Sequence, residues 1–141
     1  MSNEHSGNER PPVEANFYEK MGGAPTFALI TDKFYEAVAQ DLILAPMYPA
    51  RDMEGAKERL RLFLEQYWGG PTTYTETRGH PRLRMRHAGF PIDGAAHDAW
   101  LNCMHGAVID LPIAEELKEE LWTYFQYAAH SMKNIADGPS L

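Results

Sequence analysis

Hydrophobic side chains recur along this chain at the spacing of a helix. Phe27, Ile30, Phe34 and Val38 stand at offsets of 0, 3, 7 and 11, behind a proline, Pro25, placed where a first helical turn tolerates one. Met53, Ala56, Leu60, Phe63, Leu64 and Tyr67 fall at 0, 3, 7, 10, 11 and 14 after Asp52, a residue suited to cap a helix N-terminus. Gly69-Gly70-Pro71 ends that run. Ala96, Trp100, Cys103, Met104 and Ala107 repeat the pattern after Asp93. Ile113, Leu117, Leu121, Tyr124, Phe125, Ala128 and Met132 carry it through a last helix, opened by Pro112 and an acidic first turn. No window alternates with a period of two for long enough to build a sheet. The pattern predicts an all-α fold with four main helices and a short first helix ahead of a tight corner at Gly22-Gly23.

Two stretches fall outside this periodicity. Residues 1–13 are polar and contain Pro11-Pro12, so they read as a flexible extension, with the domain expected over 14–135 and a short flexible tail over 136–141. Thr72 to Pro91 shows little amphipathic order and reads as a long loop, a feature that in a small domain often carries function.

Composition narrows the classes further. A chain of 141 residues, 44% hydrophobic and 23% charged, is long enough to fold as one domain around its own core. Its formal charge of −7 argues against general nucleic-acid binding. The longest compact apolar run, Leu42-Ile43-Leu44-Ala45, is far short of the ~20 residues that span a bilayer. The polar stretch Met1–Arg10 lacks the apolar centre of a secretory leader, so a cytoplasmic location is the expectation. With Cys103 alone, neither an intrachain disulfide nor a cysteine-clustered zinc site can form. The charge is unevenly distributed, however. Between Glu76 and Asp93 there is no carboxylate, while Arg78, Arg82, Arg84 and Arg86 crowd beside His80 and His87.

The common phosphate-loop, dinucleotide, zinc-protease and serine-hydrolase motifs are absent. No two histidines lie four apart, which leaves a single imidazole as an axial ligand to a metal that brings its own equatorial ligands, as haem does. His87, in Arg82-Leu83-Arg84-Met85-Arg86-His87, supplies that imidazole together with cations for propionates and apolar Leu83 and Met85 for a porphyrin face. An ordinary solvated basic loop and a phosphate-binding segment remain open readings of the same residues. Tyr35, Tyr48 and Trp100 fit core packing; converging on one cavity, their O–H and N–H groups would instead make a polar site within apolar walls.

Phe17-Tyr18, Gly22-Gly23-Ala24, Thr26-Phe27, the block Arg59 to Pro71 and the block Arg78 to His87 occur here in an order that closely resembles the second group of truncated haemoglobins, over about Asn16 to Asn134. The resemblance implies a shortened globin, a two-over-two α-helical sandwich around haem b. It implies His87 as the proximal iron ligand and Tyr35, Tyr48 and Trp100 as distal donors to dioxygen, carbon monoxide or nitric oxide. Ala56 matches the position of an ordinary globin's distal histidine, with Leu60 and Phe63 beyond it on the same wall. Arg59, Tyr74, His80 and Arg86 are the candidates around the propionates, and Leu83, Met85 and Met104 complete the expected pocket. The implied role is oxygen storage, transport or oxygen and nitric oxide chemistry. The alternative is a haem enzyme, a nitric oxide dioxygenase or peroxidase, served by an external reductase. A homodimer is compatible with the family.

Overall fold

The computed structural model describes residues 16–48 and 50–135, apart from the side chains of Ala50 and Arg84. The extension expected over 1–13 and the tail over 136–141 lie outside the described residues. Seven α-helices and no strand occur among them: α1 (Phe17–Met21), α2 (Ala24–Gln40), α3 (Met53–Tyr67), α4 (Thr73–Arg78), α5 (Leu83–His87), α6 (Gly94–Ile109) and α7 (Glu115–Met132). Two 3-10 turns, Ala45–Met47 and Ala50–Asp52, join α2 to α3. The four long helices pair as α2 on α3 and α6 on α7, and α2 packs across α6 to close the sandwich. None of the described helices is long and apolar enough to cross a membrane.

The apolar positions of the helical pattern meet at the centre. Phe27, Ile30, Phe34 and Val38 on α2 are fully buried, against Met104 of α6 and Leu121 and Phe125 of α7. Phe17 of α1 stacks on Trp68 at the end of α3, with ring centroids 4.2 Å apart. The corner between α1 and α2 depends on Gly22, whose φ of 107° is left-handed. A Cβ there would lie 2.5 Å from the Thr26 hydroxyl, which itself donates to the Met21 carbonyl at 2.7 Å.

The helix ends refine the expectations. Asp93 caps α6, its carboxylate accepting from the Ala96 N–H at 2.9 Å. Asp52 stands at the cap position of α3 but makes no cap bond; its carboxylate pairs instead with Arg59 at 3.1 Å. The last helix begins at Glu115, two residues after Ile113, because Pro112 and Ile113 belong to the turn behind α6.

The larger difference concerns Thr72 to Pro91, which holds two short helices, α4 and α5, in place of a structureless loop. Neither is long enough to display a hydrophobic period, and helices of this length do not stand alone in water. They form because the rest of the fold holds them. Gln66 on α3 fastens α4 through its amide, donating to the Thr75 hydroxyl at 2.6 Å and accepting from the Thr75 N–H at 2.9 Å. α5 rests on α7.

Candidate functional site

A cavity of about 490 Å³ lies between the two helix pairs, of the size that holds a small-molecule cofactor. Its walls are mostly apolar. Phe34 and Tyr35 come from α2, Ala56, Leu60 and Phe63 from α3, Leu83 and His87 from α5, Trp100 from α6, and Tyr124, Phe125 and Ala128 from α7. Tyr48 enters from the segment joining α2 to α3, while Arg59, Tyr74 and Arg86 complete the polar part of the lining. Eleven of the residues singled out in the sequence are thus brought to one cavity.

His87 ends a helix of five residues, and Leu83 opens it, so the two stand one turn apart on the same face. The Nδ1 of His87 lies 2.7 Å from the Leu83 carbonyl oxygen. A carbonyl only accepts, so Nδ1 carries a proton and Nε2 is the nitrogen left to turn toward the cavity. That is the arrangement a metal-ligating imidazole needs, with its second nitrogen held by a fixed acceptor. Phe90 also lines the cavity, its ring centroid 6.5 Å from the imidazole.

The other polar groups form a linked set. The donor-only indole N–H of Trp100 acts on the Tyr48 hydroxyl and favours its charged form. The Tyr35 hydroxyl donates to the Ala56 carbonyl at 3.4 Å, and its ring meets that of Tyr48 edge-on with centroids 5.5 Å apart. Burial pushes the Tyr48 phenol up to about 12, against the opposing pull of the Trp100 hydrogen bond. Burial, reinforced by the neighbouring Tyr48, raises the Tyr35 phenol as well. Both tyrosines therefore keep their protons through the neutral range and are hydrogen-bond donors there. Ala56 presents only a methyl group, so α3 offers no imidazole at that point.

Three expected pocket residues lie elsewhere. Met85 is 67% exposed and lines a separate surface groove with Phe90 and Asn134, because position 85 of the short helix faces away from Leu83 and His87. Met104 is fully buried in the core, one turn beyond Trp100 and past the end of the cavity. His80 is exposed in the turn before α5, and its carbonyl accepts from Arg86 at 3.3 Å.

Arg86 is placed differently from a simple anion ligand. Its Nε donates to the Pro81 carbonyl at 2.6 Å, and its Nη2 donates to the carbonyls of Arg78 at 2.9 Å and His80 at 3.3 Å. Its guanidinium and that of Arg78 each stand 5.9 Å from the centre of the buried Tyr74 ring. The turn it holds includes Arg82, the only described non-glycine residue with a positive φ, at 45°. Arg59 is engaged by Asp52, as noted above, and Arg78, the first arginine of the basic segment, is a further cavity-lining cation beyond the expected propionate candidates.

His97 was not among the expected pocket residues. It lies one helical turn before Trp100, lines the same cavity, and holds its Nδ1 2.9 Å from the Asp98 carboxylate. The helical spacing from Trp100 was the available signal, but an isolated histidine on an amphipathic helix carries no motif.

A helical sandwich enclosing an apolar cavity, with one imidazole held by a backbone carbonyl, is the architecture of a globin pocket. The bacterial-like globin family profile matches residues 16–134. The group 2 truncated hemoglobin YjbI of Bacillus subtilis is 40% identical over 117 residues, covering 83% of this chain and 87% of that protein. A solved structure of a thermostable hemoglobin from Thermobifida fusca superposes with a TM-score of 0.82 at 54% identity, over 84% of this chain and 97% of that one. The structure of the truncated oxygen-avid haemoglobin from Bacillus subtilis gives 0.78 at 39% identity, over 84% and 98%. The chain belongs to the bacterial-like globins, as a truncated haemoglobin of the second group.

The cofactor of that family is haem, which makes ligand binding at haem the function class of this chain. The residues present fit the group. The Leu83-held imidazole offers a free nitrogen, the walls are apolar, and cationic side chains stand at one side of the cavity.

Proposed function

We propose that this cavity holds haem b through Nε2 of His87, and that Tyr35, Tyr48 and Trp100 retain a diatomic ligand, dioxygen foremost, with slow release. The observation that carries the reading is the convergence on one cavity of an imidazole held through Nδ1 by the Leu83 carbonyl and three partly buried hydrogen-bond donors. The lone cysteine supports a haem held without covalent attachment, since thioether linkage through a Cys-x-x-Cys-His motif needs a pair. When bound, haem supplies an iron with one position open to an outside ligand. The chain's own residues do the rest. His87 holds the iron from one side, the aromatic and aliphatic walls exclude water, and the O–H and N–H groups donate to the ligand.

Hydrogen bonds to an acceptor that carries charge contribute about 1.5–3 kcal/mol each, so two effective donors slow release by two or more orders of magnitude. The Bacillus subtilis relative with a solved structure is itself called oxygen-avid, which agrees with a retentive pocket. Burial keeps both phenols protonated, the form in which they can donate to a bound ligand. In this reading the protein acts in the cytoplasm, and an external reductase keeps the iron ferrous.

The test is a visible absorption spectrum of the purified protein in ferric, ferrous and oxygenated forms. A five-coordinate ferrous form that becomes a long-lived oxygenated form is expected. Protein that takes up no haem on reconstitution would refute the reading.

A further inference from the structure

Asn134 stands two residues beyond the end of α7, far from His87 in sequence, yet its side chain makes three hydrogen bonds to the 87–92 segment. Its Nδ2 donates to the carbonyl of His87 at 3.2 Å and to that of Phe90 at 2.9 Å. Its Oδ1 accepts from the Ile92 N–H at 2.9 Å. The reverse orientation of the amide would set an oxygen against two carbonyls, so the chemistry of the partners fixes which end is nitrogen. The main chain repeats the link: the N–H groups of Asn134 and Ile135 donate to the Ile92 carbonyl at 2.9 and 3.1 Å.

These bonds enclose the turn that carries the imidazole. The Phe90 N–H donates to the His87 carbonyl at 3.0 Å, so that oxygen accepts both from its own turn and from Asn134. On the other side of α5, Arg86 ties down the carbonyls of residues 78, 80 and 81. A helix of five residues cannot set its own position, because its nucleation is unfavourable. Leu83 fixes the rotation of the imidazole ring about its side-chain bonds, whereas the seat of the main chain beneath it is fixed from outside the helix.

We infer that Asn134 is a positioning residue for His87: its side-chain amide grips the 87–92 segment and sets the height and tilt at which the imidazole faces the cavity. The inference rests on the reading of His87 as the iron ligand, and its test separates the two.

The substitution Asn134→Asp keeps the size of the side chain and the acceptor for Ile92, but turns a carboxylate oxygen toward the His87 and Phe90 carbonyls. Asn134→Ala removes all three bonds without adding charge, and serves if the first variant folds poorly. The haem-loaded protein is examined by resonance Raman spectroscopy of its ferrous form, alongside haem transfer to an acceptor globin. Both variants are expected to shift the iron–histidine stretching band. Asn134→Asp is expected to release haem about tenfold faster and Asn134→Ala about threefold faster, in line with the loss of exposed hydrogen bonds. A band at the wild-type position in both variants overturns the inference, including the case in which thermal stability alone falls. His87→Ala is the control. If the band vanishes there but stays unmoved in the Asn134 variants, only the positioning role fails. If the band survives in His87→Ala, another residue holds the iron and both readings fall.

Discussion

The Trp100 indole N–H, which can only donate, acts on the Tyr48 hydroxyl and holds its pKa below the value that burial alone would set. With a donor on that side, the proton of Tyr48 is what its hydroxyl has to offer. The two residues form a short chain of donors, and such chains strengthen each member beyond its isolated worth. Tyr35 is anchored differently, by a longer bond of 3.4 Å to the Ala56 carbonyl, which it can exchange for a better acceptor at small cost.

The serial arrangement makes a specific kinetic prediction. Trp100→Phe and Tyr48→Phe should each speed dioxygen release at least about tenfold, while the double variant falls short of the product of the two. Stopped-flow displacement of dioxygen measures all three. Fully multiplicative effects would show that the residues act independently, and an unchanged rate in Trp100→Phe would remove the indole from retention.

His87 is expected to act as a ligand and not as a packing element. His87→Gly should lose stable haem retention, and added imidazole should restore the ferrous spectrum by filling the space left by the side chain. Restoration is read from visible absorption. A variant that keeps haem equally well without imidazole would assign the iron to another residue.

The tyrosines also predict a pH window. The folded-state pKa of Tyr48 is about 12, above the 10.0 of an ordinary phenol, so folding favours the protonated form. Its contribution to stability is fully present below pH 10.0 and is lost as pH rises towards 12, since the unfolded chain ionises first. Tyr35, shifted in the same direction, adds to the loss. Denaturant unfolding at a series of alkaline pH values should show the slope, and Tyr48→Phe should flatten part of it. An identical slope in that variant would contradict the assignment.

A fourth prediction concerns the scaffold behind the cavity. Glu65 on α3 is buried, and its carboxylate is paired with the Arg61 guanidinium at 2.8 Å. Arg61→Met leaves that carboxylate without its countercharge and should cost about 2 kcal/mol, a value below the usual range for a buried pair because Arg61 is partly exposed. Glu65→Gln should cost less, because a neutral amide tolerates the same site. Urea denaturation compares the two; equal losses would mean that the pair itself, and not the stranded charge, matters.

The long helices were legible because each repeats its apolar face over four or five turns, enough to override any single position. Phe27 to Val38 and Met53 to Tyr67 lie where their spacing put them. α4 and α5 were not, since five or six residues cannot display a period and their stability comes from contacts beyond themselves: Gln66 of α3 on α4, Asn134 on the turn behind α5, and Arg86 of α5 reaching back to residues 78–81. The cavity was legible in part. Tyr35, Tyr48, Trp100 and His87 came from the family resemblance and reach one cavity. Met85 was read as a porphyrin contact from its place beside Leu83, but a short helix turns alternate residues to opposite sides. His97 and Asn134 belong to no motif, and what recruits them is visible only once α6 and α7 are folded against α5.

The Asn134 grip joins groups 42 to 47 residues apart in the chain. During synthesis the 87–92 segment leaves the ribosome well before Asn134 does, so the pocket wall bearing the imidazole is the last to be fastened. Closing a loop of that length costs only slightly more than closing a shorter one, so the delay is one of order and not of energy. A nascent chain that has released α2, α3 and α6 already carries Tyr35, Tyr48 and Trp100, but its histidine still swings on an untethered turn. Secure capture of the cofactor thus coincides with completion of α7, and a chain cut short before Asn134 would lose its grip on haem while keeping every residue that touches it.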